Sequence, residues 1–234
     1  MLLSERAKNA LADSDVIIGY KTYIRLIKNL VAKKEVSAYG MREEIERAGY
    51  AIEKAKEGRK VAIISGGDAG IYGMAGPVLE ILGKNEDVNI EIIPGIPALI
   101  AASSLLGAPL MNDFTVVSLS DLLTDIKTIE NRVLSACKGD FVIVFYNPSS
   151  QKRHLPLQKA WEIVSNHRKP DTPVGIVRNA YRNNEEIKIT TLKNMLNEHI
   201  DMLTIIIIGN SKTYIKGRFM ITPRGYLEPF GKLV

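Results

Sequence analysis

Runs of apolar residues alternate along this chain with stretches whose apolar residues return every three or four positions. DVIIGY (15–20), VAIIS (61–65), TVVSLS (115–120), FVIVFY (141–146), TPVGIVRNA (172–180) and TIIIIGNS (204–211) predict buried strands. VNIEIIPG (88–95) alternates and breaks at Pro94 and Gly95, the pattern of a strand ending in a turn. Helical periodicity runs through 3–12, 42–58, 75–82, 98–107, 128–139 and 157–168. In the 42–58 stretch it puts Ile45, Ala48, Ala51, Ile52 and Ala55 on one face, with Gly58 as the stop. EEIKITTLKNML (185–196) begins as a strand and turns helical. Strand, loop and helix in repetition predict an α/β protein with a largely parallel sheet. LGAPLMNDF (106–114) is the best hinge, giving α/β domains over 1–110 and 111–234.

The loops after the predicted strands hold the candidate chemistry. SGGDAGIYGMAG (65–76) follows a strand and precedes a helix, and glycines there let a ligand approach the backbone. No Lys-Ser/Thr follows, so it is not a P-loop, and it does not match G-x-G-x-x-G. Asp68 repels phosphate and suits a ligand with hydroxyls or a positive centre; it would equally cap the next helix. PGIPA (94–98) opens another helix, either as a purely structural turn or with free N–H groups facing a ligand. YNP (146–148), VRNA (177–180) and IGNS (208–211) end three further strands, and five such ends are expected to converge on one edge. Lys152, Arg153, Arg178, Arg182 and Arg224 could supply carboxylate-binding forks there, or be solvated surface.

Composition narrows the chemistry. The single cysteine, Cys137, excludes an intramolecular disulfide and Cys-rich metal sites, and fits a reducing cytosol. His154, His167 and His199 lack ligand spacing, so no protein-bound metal is expected. The longest apolar run is too short to span a bilayer, and the first residues lack the core of a signal peptide. A net charge of +5, spread without a tract, reads either as a basic solvated surface or as affinity for an anionic partner: RNA, or a small molecule with several carboxylates. No G-x-S-x-G is present, and Cys137 has no nearby His in sequence. Positioning of an activated cosubstrate is the better fit, and no catalytic residue is assigned.

In their order, SGGDAGIYGMAGPVLE, IPGIPALIAASSLLGAPLMNDFTVVSLSDLLT, DFVIVFYNPSS, DTPVGIVRNAYR, DMLTIIIIGNS and TPRGY resemble the tetrapyrrole (corrin/porphyrin) methylases. Within them, the SLSDLL, YNP and RNAYR marks are most similar to precorrin-3B and cobalt-precorrin-3 C(17)-methyltransferases. The resemblance spans nearly the whole chain. It implies two α/β domains with S-adenosylmethionine (SAM) in the cleft between them, a homodimer, and methyl transfer to C-17 of a precorrin or cobalt-precorrin macrocycle with ring contraction, in cobalamin biosynthesis. It implies neither nucleic acid nor membrane as a partner. Diphthine or ribosomal RNA, or a non-catalytic remnant, are the alternatives within the superfamily. SAM carries a sulfonium but no phosphate, which suits a glycine loop with an Asp and no Lys. The macrocycle's acetates and propionates suit Arg153, Arg178 and Arg182. Motif by motif, the resemblance assigns SAM contacts to Gly66, Gly67, Asp68, Ala69, Ile71, Pro97, Ala98, Tyr146, Asn179 and Ala180, and less firmly to Ile208 and Gly209.

Family members begin with a strand and a G-x-G-P-G-D-type loop before the helix that here runs from Leu3. Aligned by resemblance, Met1 falls at the loop–helix junction, so the first strand and glycine loop are expected to be missing. An open backbone edge on DVIIGY or VAIIS would follow.

Overall fold

The computed structural model describes residues 2–83, 87–150 and 153–226. The chain divides into two units, Met1–Pro97 and Ala98–Val234. This boundary precedes the expected hinge, because the helix opening at Ala98 packs into the second unit's core.

The first unit contains α1 (Glu5–Asp13), β1 (Val16–Tyr20), α2 (Lys21–Ile27), β2 (Glu35–Tyr39), α3 (Glu44–Lys56), β3 (Val61–Ile64) and α4 (Ala75–Leu82). Ser4 starts α1 by accepting the Ala7 N–H, satisfying one of the free donors of a first turn. The sheet is parallel throughout, in the order β2-β1-β3. Its centre is β1, whose Val16, Ile17 and Ile18 are fully buried. One face of the unit packs Leu11, Ile17, Ile27 and Val31 with Leu3, Ala62 and Ile64. A second cluster joins Ala48, Ile52, Met74 and Val78 to Ile63, Val88 and Ile90.

Two expectations fail in this unit. Residues 88–95 form no strand. On α3, Ile45 is 66% exposed, whereas Arg47 is 4% exposed.

The second unit contains α5 (Ala98–Leu106), β4 (Gly107–Ala108), β5 (Phe114–Ser118), α6 (Ile126–Lys138), β6 (Val142–Tyr146), α7 (Leu155–Ser165), β7 (Pro173–Arg178), β8 (Glu186–Thr191), a 3-10 turn (Leu192–Asn197), β9 (Thr204–Ile208), β10 (Tyr214–Lys216) and β11 (Phe219–Ile221). Five strands form one sheet in the order β5-β6-β9-β7-β8. Only β5 and β6 pair in parallel; β9 runs antiparallel to both β6 and β7, and β8 antiparallel to β7. The sheet is therefore mixed, not largely parallel as expected. A short β10-β11-β4 sheet closes the unit. Leu99, Ala102 and Leu106 of α5 cover one face of the large sheet with Val142, Val144, Ile205 and Ile207. On the other, Ile129 and Val133 of α6 and Leu157, Ala160 and Val164 of α7 pack against Ile143, Phe145, Ile206 and Ile208. Cys137 is buried here, and burial pushes its thiol pKa up against the pull of Arg168, the opposite of a nucleophile's requirement.

Candidate cosubstrate and substrate sites

In the first unit the 65–73 loop leaves the carboxyl end of β3, where parallel sheets bind ligands. Gly67 turns the chain with φ +81°. Asp68 does not cap α4. Its Oδ1 accepts the Gly70 N–H at 2.8 Å and its Oδ2 accepts the Gly95 N–H at 2.9 Å. One carboxylate thus ties the glycine loop to the Pro94–Gly95 turn. The two backbones touch so closely that a Cβ on Gly95 would lie 2.1 Å from the Gly67 carbonyl oxygen. The loop is closed at its far end by Met74 N–H donating to Ser65 Oγ at 2.9 Å and Ala75 N–H to the Ala69 carbonyl at 3.0 Å. Gly67 and Ile71 remain exposed, while Ala69 is half-buried. Gly66, Gly67, Asp68, Ala69 and Ile71 thus share one braced loop, with Pro97 two residues beyond the turn it is tied to.

In the second unit the carboxyl ends of β5, β6 and β7 lie along one edge of the sheet, joined there by the start of β9. Tyr146 ends β6 buried, and its hydroxyl accepts the Leu99 N–H at 2.9 Å. One of the N–H groups at the start of α5 is therefore taken by the protein, in line with the structural alternative for this turn. Ala180 packs in the same cluster as Tyr146. Asn147, Asn179 and Tyr181 all adopt positive φ near +50°, an uncommon conformation for side-chain-bearing residues that concentrates backbone strain at this edge. Tyr181 reaches Ser104 Oγ with its hydroxyl at 3.0 Å.

The antiparallel run of β9 corrects the expectation of five converging strand ends. Ile208 pairs with Ile143 and Val174 near the starts of β6 and β7, and Gly209 N–H donates to the Pro173 carbonyl. Ile208 and Gly209 thus lie at the opposite sheet edge from Tyr146, Asn179 and Ala180. A five-residue strand separates the edges by roughly 13 Å at a rise of about 3.3 Å per residue.

The arginines differ in their surroundings. Arg153 is an internal brace: it donates to the Leu119 carbonyl, to the Asn147 carbonyl at 3.0 Å and to Met202 Sδ at 3.2 Å. Burial lowers its pKa, and Asp121 at 3.7 Å opposes that shift. Arg178 donates to Asp201 at 2.8 Å and Glu186 at 3.0 Å. Burial alone would raise the Asp201 pKa, but Arg178, Leu203 N–H and Thr204 outweigh it and hold the carboxyl low. Arg182 and Arg224 are exposed, and Lys152 lies outside the described residues. Arg47, buried beside Met74 where the glycine loop ends, carries no signal in the sequence beyond a place on the charged side of a helix.

The family model for the Tetrapyrrole (Corrin/Porphyrin) Methylases matches residues 1–196. The chain belongs to this family. Among tetrapyrrole methylases it is 49% identical over 226 residues to the probable cobalt-factor III C(17)-methyltransferase of Salmonella typhimurium, covering 96% of this chain and 94% of that one. It is 48% identical over 233 residues to the cobalt-factor III methyltransferase of Priestia megaterium, spanning 97% of this chain but 43% of that longer protein. The solved structure of the methyltransferase CobJ superposes with a TM-score of 0.90 at 33% identity, covering 95% of this chain and 94% of that one. Among the described residues no helix is long and apolar enough to cross a membrane, and no three His, Cys, Asp or Glu side chains are grouped to hold a metal ion.

Proposed function

We propose that this chain transfers a methyl group from SAM to C-17 of a cobalt-precorrin-3 or precorrin-3B macrocycle, with ring contraction, in cobalamin biosynthesis. The observation that carries this reading is the 49% identity, over nearly the full length of both chains, to the Salmonella protein named for C(17) methylation. The glycine loop fits SAM chemically. Exposed backbone at Gly67 allows close approach, Asp68 supplies negative charge near a sulfonium or ammonium, and the stretch from Ser65 to Gly76 contains no Lys or Arg to hold a phosphate. Bound SAM supplies an electrophilic methyl group. The loop's own contribution is orientation, because its two backbone segments are fixed to each other before any ligand arrives. Arg178 and Arg182 are proposed to read macrocycle carboxylates, Arg178 by exchanging the exposed Glu186 for a substrate group while keeping Asp201. Arg153 would act one step back, by holding the turn after β6. A cytosolic homodimer is the proposed working form, and light scattering on the purified protein reads its mass.

Titration with S-adenosylhomocysteine (SAH), followed by a methylation assay on corrinoid and on RNA, tests the reading. The wild type should bind SAH and methylate only the corrinoid. Asp68→Ala should weaken SAH binding by about 1–3 kcal/mol, the scale of a hydrogen bond to a charged group. Affinity unchanged at unchanged stability would remove the Asp68 side chain from the site; methylation of RNA alone would replace the substrate. Arg178→Ala should raise the KM for corrinoid more than it changes SAH affinity. The reverse pattern would place Arg178 on the cosubstrate instead.

A further inference from the structure

Arg47 is buried, with 5% of its side chain exposed. It sits in the first turn of α3, its N–H donating to the Glu43 carbonyl. One guanidinium nitrogen donates to Met74 Sδ at 3.0 Å, and the same nitrogen lies 3.7 Å from Glu44, a half-exposed carboxylate. Its Nε is buried without any hydrogen-bond partner. A thioether is a weak acceptor, and a partly exposed carboxylate at that distance returns little. A guanidinium so sparsely paired in an apolar cluster costs stability, and an apolar side chain of similar length would remove that cost.

The location of the contact gives the cost a function. Met74 is where the 65–73 loop ends and α4 begins, and its N–H closes the loop onto Ser65. Its side chain packs with Ala48, Ile52 and Val78, all apolar, so Arg47 supplies the polar, directional contact in that cluster. We propose that Arg47 is a positioning residue for the glycine loop: by holding the Met74 sulfur it keeps the loop's closed end in the form that takes SAM. The inference rests on the reading that this loop binds SAM. Asp68 braces the loop from the Gly95 side and Arg47 from the α4 side. Loss of either brace lets the loop populate forms that do not bind, and apparent affinity falls by the competent fraction.

The test is SAH titration and thermal melting of the full chain as wild type, Arg47→Met, Arg47→Lys, Met74→Leu and the Arg47→Met/Met74→Leu double variant. Arg47→Met should bind SAH on the order of tenfold more weakly, while melting at or above the wild-type temperature because a poorly paired buried charge is gone. A purely structural role would move stability and leave affinity alone. In turnover, the KM for SAM should rise with kcat held within about twofold, the signature of lost binding competence. Met74→Leu should lose a similar factor, and the double variant should lose no more than either single change, because both remove one contact. Arg47→Lys, which keeps a donor without the fork, should fall between. Wild-type affinity in Arg47→Met, or fully additive losses in the double variant, would overturn the proposal. If Arg47→Met does not fold, wild-type affinity in both Met74→Leu and Arg47→Lys has the same force. No SAH binding by the wild type would sink the loop reading and this inference with it. Binding that Asp68→Ala weakens and Arg47→Met leaves untouched would sink this inference alone.

Discussion

Gly95→Ala should reduce SAH affinity about a hundredfold, close to 2.7 kcal/mol. The added Cβ would meet the Gly67 carbonyl oxygen at 2.1 Å and the Gly67 carbonyl carbon at 2.9 Å. Both are backbone atoms, so no rotamer change relieves the clash. One of the two loops must retreat by about 1 Å, a displacement that alone can cost two orders of magnitude where groups must be aligned. The same retreat stretches the bond from Gly95 N–H to Asp68 Oδ2. Gly76→Ala is the matched control. Gly76 lies in α4, and a Cβ there meets nothing within 4 Å. That change should leave affinity alone and stabilise the chain by up to about 1 kcal/mol through helix propensity. Titration and melting of both variants settle the matter: SAH binding by Gly95→Ala within about threefold of wild type, less than 0.7 kcal/mol, would show that these two loops do not jointly shape the site.

The contrast between these two glycines shows what the sequence could tell. Gly76 ends a glycine-rich stretch and Gly95 sits in a Pro-Gly turn, but only three-dimensional proximity separates a backbone contact from a helix position. The buried strands β1, β6, β7 and β9 were legible because Val, Ile and Phe run there almost without interruption. Their direction was not, since an apolar run carries no arrow. β9 turns against β6 and β7 through connections that no local pattern distinguishes from crossovers, and this moves Ile208 and Gly209 to the far edge. The stripe on α3 predicts Ile45 inside and Arg47 outside. The structure reverses them, because tertiary packing beside Met74 overrides polarity. Charge likewise marks Arg153 and Arg178 as rim residues without showing that Arg153 is occupied by carbonyls. The β10–β11 hairpin was illegible because its strands have three residues each, with β10 exposed throughout and β11 burying only Met220.

A chain extended ahead of α1 by one apolar strand and a glycine turn, some 10–20 residues at typical element lengths, should melt higher, associate less and turn over faster than the chain as it stands. The grounds lie in the first unit's sheet. β3 pairs only with β1 among the described strands. Its Val61, Ala62, Ile63 and Ile64 are all apolar yet only half-buried, whereas Val16, Ile17 and Ile18 of β1 are fully buried. Parallel strands as apolar as β3 normally have both faces and both edges covered. Beyond β3, Val88 and Ile90 pack on the Met74 and Val78 cluster without entering the sheet. Leu3, just ahead of α1, packs on the same buried cluster as Ala62 and Ile64. Such an added strand would pair along the side of β3 that no described strand covers and complete the sheet there. Covering Val61, Ile63 and Ile64, the three larger half-buried side chains, at roughly 1 kcal/mol each gives about 3 kcal/mol. For a domain of this size that is roughly 6–12 °C in melting temperature. An open strand edge also templates pairing with other chains, so light scattering should show less association once the edge is covered. Melting, scattering and single-turnover methylation of both forms would decide. Equal melting temperature, equal association and equal rate would mean that β3 tolerates its open edge and that the sheet needs no further strand.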